Sequence, residues 1–271
     1  MSQGQEVKTR PMSITQLSMY QKCGVQYEFR YAMGIKIPPG VQQIRGSAVH
    51  RSIAYNYRQK IGSKEDLPPD VLKDVAAQAV DESFAGEVLL QEEEETVGVA
   101  KLRDATKDTV VGMTQVYREK LSPQIQPVAV EEHVTVTPDP KLYPRALTGI
   151  EDLVDSNRIV HDTKTAAKKP NADAADKSQQ LTMYSILEKA RSGQAPAGLA
   201  LDTLIETASG NRSVDVQVTQ RTAEDANRLL LRLTTALHGI EAGVFIPTNP
   251  ENWWCSQKWC GYYRICPYVR H

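Results

Sequence analysis

Cys255, Cys260 and Cys266 are spaced C-x4-C-x5-C near one end of the chain, and the only other cysteine is Cys23. Three thiols this close, with no histidine among them, suggest a thiolate-bound metal centre that needs a fourth ligand. If Cys23 supplies it, a staple spans more than two hundred residues, and topologies that separate the two end segments are excluded. Zinc sites usually carry tighter C-x2–4-C pairs. One distant cysteine with a wider trio suits a [4Fe–4S] cluster at least as well, and buried free thiols are the plain alternative.

Free or metal-bound cysteines belong to a reducing compartment. No apolar run approaches the ~20 residues that span a bilayer, and the N-terminus lacks the apolar core of a signal peptide. The expected location is therefore intracellular: the cytoplasm, or the host cytoplasm if the protein is viral. At 271 residues, with 41% hydrophobic and 24% charged residues, the chain is ordinary globular material, which excludes collagen-like, disordered and disulfide-scaffold classes. A net charge of −1 argues against a strongly basic nucleic-acid binder, but the average conceals a gradient. Residues 1–60 carry nine Lys/Arg against two Asp/Glu, whereas residues 61–160 carry ten against twenty. Such asymmetry can mark a polyanion-facing surface, or simply a solvated basic end.

Periodicity orders the chain. Residues 13–33 read as one helix with Ser13 as N-cap, and Gly34 and Pro38-Pro39-Gly40 break it. A second helix runs from about Gln43 to Gln59. Residues 69–122 read as helical and mostly surface-facing, with a break near Gly98. Val128, Val130, Val134 and Val136 alternate as a half-buried strand. Residues 147–155 and 158–165 form a hairpin around Ser156-Asn157. A helix over about 176–191, strands at 198–206 and 213–219, and a helix from Ala223 to Ala242 complete an α/β pattern.

The densest chemistry lies at Gly149-Ile150-Glu151-Asp152 and Asp162-Thr163-Lys164-Thr165. Asp162 and Lys164 are two apart on a strand and share a face. A carboxylate beside an ammonium on a rigid strand suits metal-assisted hydrolysis, the first holding a cation and the second orienting water or stabilising developing charge. An exposed salt pair has the same pattern. The hairpin loop decides whether Asp152 joins Asp162. A two-residue loop pairs Asp155 with Arg158 and sets Asp152 opposite His161, on the wrong face. A three-residue loop pairing Val154 with Arg158, or a bulge, puts the two aspartates on one face. His50 is a candidate third ligand, since Gly46 one turn earlier permits close packing of its helix on the sheet. Gln180 and Tyr184 share a helix face, where they can orient phosphate or base, or pack.

Together these pieces resemble the RecB-like branch of the PD-(D/E)XK nucleases, most closely its iron–sulfur members: the AddB nuclease domain, CRISPR-associated exonucleases and phage relatives. The resemblance runs from Ser13 to Cys266, through Ser13-Ile14-Thr15-Gln16-Leu17, Tyr20 and Cys23, Gly46-x3-His50, Gly149-x2-Asp152, Asp162-Thr163-Lys164-Thr165, Gln180-x3-Tyr184 and the closing cysteines. It implies a restriction-endonuclease-like mixed sheet flanked by helices, in one nuclease domain over residues 1–271. Residues 60–126 would be a helical insertion and 250–271 a cluster segment. It implies Mg²⁺ or Mn²⁺ on His50, Asp152, Asp162 and the Thr163 carbonyl, Lys164 acting on water, and Gln180 and Tyr184 positioning DNA. Cys23, Cys255, Cys260 and Cys266 would hold a structural [4Fe–4S] cluster, although C-x4-C-x5-C is wider in the middle than the family's usual pair. The expected activity is hydrolysis of DNA phosphodiesters, as an exonuclease on single-stranded ends, in recombination, repair or phage DNA processing. Tyr20, Tyr27, Tyr31, Trp253 and Trp254 are candidate stacking surfaces for the strand. No helicase P-loop occurs in the sequence, so unwinding falls to a separate helicase or recombination partner. A non-catalytic nucleic-acid-binding or assembly module and a zinc-stapled restriction-type endonuclease are the alternatives.

Overall fold

A computed structural model describes residues 10–269. Five strands form one mixed sheet in the order β1 (Pro127–Val136), β2 (Leu147–Asp155), β3 (Ile159–Ala166), β4 (Gly198–Glu206) and β5 (Arg212–Thr219). β2–β3 and β4–β5 are antiparallel and β3–β4 parallel. Parallel neighbours need a crossover, supplied by helices Ala174–Lys177 and Gln179–Ser192. The mixed sheet flanked by helices is the restriction-endonuclease-like arrangement expected from the sequence. No helix among the described residues is long and apolar enough to cross a membrane.

The chain divides into two compact units. One comprises the chain up to Ile37, Val134–Gly149 and the chain from Arg221, so both end segments fall in it. The expected single helix over 13–33 is interrupted there. Helix α1 (Ile14–Lys22) is capped by the Ser13 hydroxyl, and Cys23 then turns extended. The helical path resumes at α2 (Gly24–Tyr27) and a π-turn over Glu28–Ala32. The break has a partner: the Gly24 N–H donates to the Ile246 carbonyl at 2.8 Å. A Cβ on Gly24 would lie 2.6 Å from the Ile246 nitrogen, so only glycine admits this approach. The C-terminal helix, Ala223–Glu241, follows the sequence expectation, with a Thr222–Asp225 capping box and Leu229, Leu233, Leu237 and Ile240 buried.

The second unit comprises Pro38–His133 and Ile150–Gln220. Here α3 (Val41–Ser63), α4 (Pro69–Phe84), α5 (Glu92–Val97) and α6 (Val99–Lys120) precede the sheet. Gly98, at φ +87°, separates the last two, as expected. The expectation that residues 69–122 face mostly solvent is corrected by the packing. Leu72, Ala76, Ala79 and Val80 of α4 and Val110, Met113 and Tyr117 of α6 join Ala48, Val49, Ile53 and Tyr57 of α3 in the main core. On α4 the apolar stripe is hard to read because half of it is alanine, Ala76 and Ala79, which lets helices approach closely while weakening the hydrophobic signal. At the far end of α3, Lys60 is buried and bonded to Asp66 Oδ2 at 3.1 Å and the Ser122 carbonyl at 2.6 Å, beside Asn56.

Candidate functional site

The hairpin between β2 and β3 settles the geometry of the aspartates. Residues 156–158 make an odd, three-residue loop between Asp155 and Ile159, with Arg158 left-handed at φ +62°. Asp155 holds it by accepting from the Asn157 and Ile159 N–H groups at 2.9 and 2.8 Å. Val154 pairs with Val160 and Leu153 with His161, so neither Asp155–Arg158 nor Val154–Arg158, the pairings of the two loop alternatives, is formed. The parity is that of the Val154–Arg158 alternative, so Asp152 and Asp162 share a face. The Thr163 N–H donates to Asp152 Oδ2 at 2.9 Å, so a side chain takes the place of a ladder bond where the two strands part.

Helix α3 carries His50 to this point, with Nδ1 3.4 Å from Asp152 Oδ2. Gly46 sits in van der Waals range of β3, since a Cβ there would lie 3.7 Å from Thr165 Oγ1. The third member is one the sequence reading lacked. Glu131 of β1 has φ +52°, a bulge that breaks the alternation of the valine strand and re-aims its carboxylate. Ligand atoms of His50, Glu131 and Asp152 lie within 4.8 Å of one another, the one such set of three among the described residues. The only sequence signal was the Glu131-Glu132 interruption of an otherwise apolar alternation. Burial, then the Asp152 charge, pushes the Glu131 carboxyl up, opposed by His50 and Arg58.

Asp162 lies beside this set rather than within it. It is 1% exposed, its Oδ1 accepts from Lys164 Nζ at 2.8 Å, and its Oδ2 is buried without a partner. Burial raises its carboxyl, with Lys164 opposing and Asp152 adding. An orphaned carboxylate oxygen next to an imidazole and two further carboxylates is the environment a hard divalent cation satisfies. Lys164 is half-exposed at the rim.

Tyr184 is almost wholly buried, and its hydroxyl donates to the Ile150 carbonyl at 2.5 Å. Burial, then the surrounding carboxylates, drives that phenol strongly upward. Its bond goes to β2, two residues before Asp152, while Gln180 one turn earlier is half-exposed. Behind β3, His161 Nδ1 lies 2.7 Å from Asp202 Oδ2. Glu151, fully buried, is pushed up to about 8 by burial and then by Glu188.

Cys23, Cys255, Cys260 and Cys266 line one recess with Phe29 and Tyr262. Gln26 Nε2 donates to Cys260 Sγ at 3.1 Å. Of the candidate stacking residues, Tyr27 is buried and Tyr20 is spent on packing, its hydroxyl donating to the Val244 carbonyl at 2.7 Å. Tyr31 lies beneath Arg10 and Arg30, each 5.9 Å from its ring centroid. Trp253 is 64% exposed and meets Trp254 and Trp259 edge-on.

The fold resembles the crystal structure of a protein named "Putative exonuclease" from Eubacterium rectale, with TM-score 0.56 and 10% identity, over 100% of this chain and 92% of that one. At that identity the likeness speaks for the fold. No curated protein matches the sequence significantly. A family model described as the PD-(D/E)XK nuclease superfamily matches residues 11–267. The chain belongs to the PD-(D/E)XK nuclease superfamily.

Proposed function

We propose that this nuclease is a Mg²⁺- or Mn²⁺-dependent deoxyribonuclease that degrades DNA from single-stranded ends. The observation that carries the reading is the convergence of His50, Glu131 and Asp152 beside the unpartnered Oδ2 of Asp162. His50, Glu131, Asp152 and Asp162 would hold a divalent cation, which when bound would supply Lewis acidity at the scissile phosphate. Asp152 holds its place through the Thr163 N–H, and Asp162 through Lys164. Lys164, reaching the rim, orients the attacking water or offsets charge on the phosphate as it develops. Tyr184 braces β2 under Asp152, and Gln180 faces the DNA backbone. The Thr163 carbonyl would complete the ligand set.

In this reading the four cysteines carry a structural [4Fe–4S] cluster, which places the protein in the iron–sulfur branch of the superfamily. The wide C-x4-C-x5-C spacing with one distant cysteine supports it over zinc, whose sites usually carry tighter pairs. Here the four sulfurs line one recess, so a single centre can bind them all. The whole chain then works as one nuclease domain, in the cytoplasm, on ends exposed by a separate helicase or recombination partner during recombination, repair or phage DNA processing. Product analysis on 5′- and 3′-labelled single- and double-stranded DNA tests the exonuclease assignment: mononucleotides or short oligomers from one end support it, and internal cuts refute it.

A further inference from the structure

Helix α3 carries, beyond His50, two residues that the site has not used. Tyr55 is 52% exposed, although Ala48, Val49, Ile53 and Tyr57 of the same helix are core. Arg58 is exposed and has no hydrogen bond or ion pair among the described residues. Arg51, one turn before Tyr55, is instead tied to Glu82 and to the Ala79 carbonyl. At about 100° per residue, His50, Arg58 and Tyr55 fan over roughly 140° of the helix surface, with Arg58 between the other two. Tyr55 and Arg58 stand on the helix that carries His50, five and eight positions further along it. Around the helix surface a candidate metal ligand is followed by a guanidinium with no hydrogen bond among the described residues and then by a large exposed ring, while along the axis Tyr55 comes before Arg58.

Resting on the nuclease reading, we propose that Tyr55 and Arg58 hold the DNA strand beside the scissile phosphate, Tyr55 by stacking on a base and Arg58 by a phosphate contact. The occupant is single-stranded DNA. A duplex keeps its base faces stacked inside and offers Tyr55 nothing flat, whereas a single strand presents a base face and a phosphate at each step. The guanidinium suits a phosphate because it is charged at any working pH and presents planar paired donors.

Steady-state cleavage of an end-labelled single-stranded oligonucleotide with Mn²⁺, over a range of salt, tests this. Base–aromatic stacking is worth ~1–3 kcal/mol per base, so Tyr55→Ala raises KM about tenfold, with kcat and the melting temperature unchanged; Tyr55→Phe restores KM. Arg58→Gln raises KM and flattens the plot of log(kcat/KM) against log salt by about 0.7, the share of one phosphate contact on a single strand, while Arg58→Lys keeps the slope. Unchanged KM in Tyr55→Ala with an unchanged slope in Arg58→Gln overturns the inference and leaves the nuclease reading standing. A loss of kcat together with a lowered melting temperature overturns it too, as a structural role. A wild-type protein that cleaves no DNA overturns both.

Discussion

The main-chain N–H of Thr163 donates to Asp152 Oδ2 at 2.9 Å, so the backbone of β3 fixes a carboxylate of β2. The same oxygen lies 3.4 Å from His50 Nδ1. Asp152 is therefore both a link between two strands and one of the three residues whose ligand atoms converge within 4.8 Å.

Removing a carboxylate from that set weakens cation binding. Even outer-shell partners of metal ligands cost roughly 10–100-fold in affinity when mutated, and Asp152→Asn or Glu131→Gln is expected to lose at least that much. Calorimetric titration with Mn²⁺ measures it. Wild-type affinity in Glu131→Gln would remove Glu131 from the site.

Tyr184→Phe distinguishes bracing from contact with DNA. Its hydroxyl serves the Ile150 carbonyl, and a hydrogen bond of this kind contributes about 0.5–1.5 kcal/mol. The expected result is a lower melting temperature with KM for DNA little changed. A raised KM at unchanged stability would show instead that the phenol meets the substrate.

Away from the site, Asp66 gives a pH signature. Burial raises its carboxyl, but hydrogen bonds from Ser122, Asn56 and Lys60 outweigh burial and hold it below the usual range. A depressed carboxyl stabilises the fold above its unfolded value of 3.8, and that contribution is lost as the pH falls through the folded value. Asp66→Asn also strands the buried Lys60 ammonium, so at neutral pH it should cost about 3 kcal/mol. The gap between the two proteins in urea unfolding should narrow below about pH 4. A gap constant from pH 7 to pH 3 would contradict this.

Cys23→Ser should lose iron and stability together, because Cys23 and the C-terminal trio line one recess. Anaerobically purified wild-type protein is expected to be brown with about four iron atoms per chain. Colourless protein loaded with zinc would refute the cluster, and unchanged melting of Cys23→Ser would refute the staple.

Much of this architecture was legible because it rests on local pattern. The final helix, the hairpin and the break at Gly98 follow from leucine spacing, strand alternation and one glycine. The pairing of Asp152 with Asp162 reduced to a parity question about one loop, and Asp155 capping residues 156–158 answered it. Glu131 was hidden for a physical reason: its left-handed backbone re-aims a side chain that period-2 alternation places elsewhere. The break at Cys23 was equally hidden, since it depends on the Ile246 backbone meeting Gly24 across more than two hundred residues. The buried face of α4, half of it alanine, was missed because small residues pack tightly without a strong apolar signal.

The central claim is that the carboxylates around Asp162 hold a divalent cation that cleaves DNA. The most direct test is cleavage of end-labelled single-stranded DNA with Mg²⁺ or Mn²⁺, with chelator, and with Asp162→Ala, whose fold is checked by circular dichroism. Metal-dependent cleavage by the wild type, abolished by chelator and by Asp162→Ala in a folded protein, is the predicted result. Full activity in Asp162→Ala, or cleavage that persists in chelator, would contradict it.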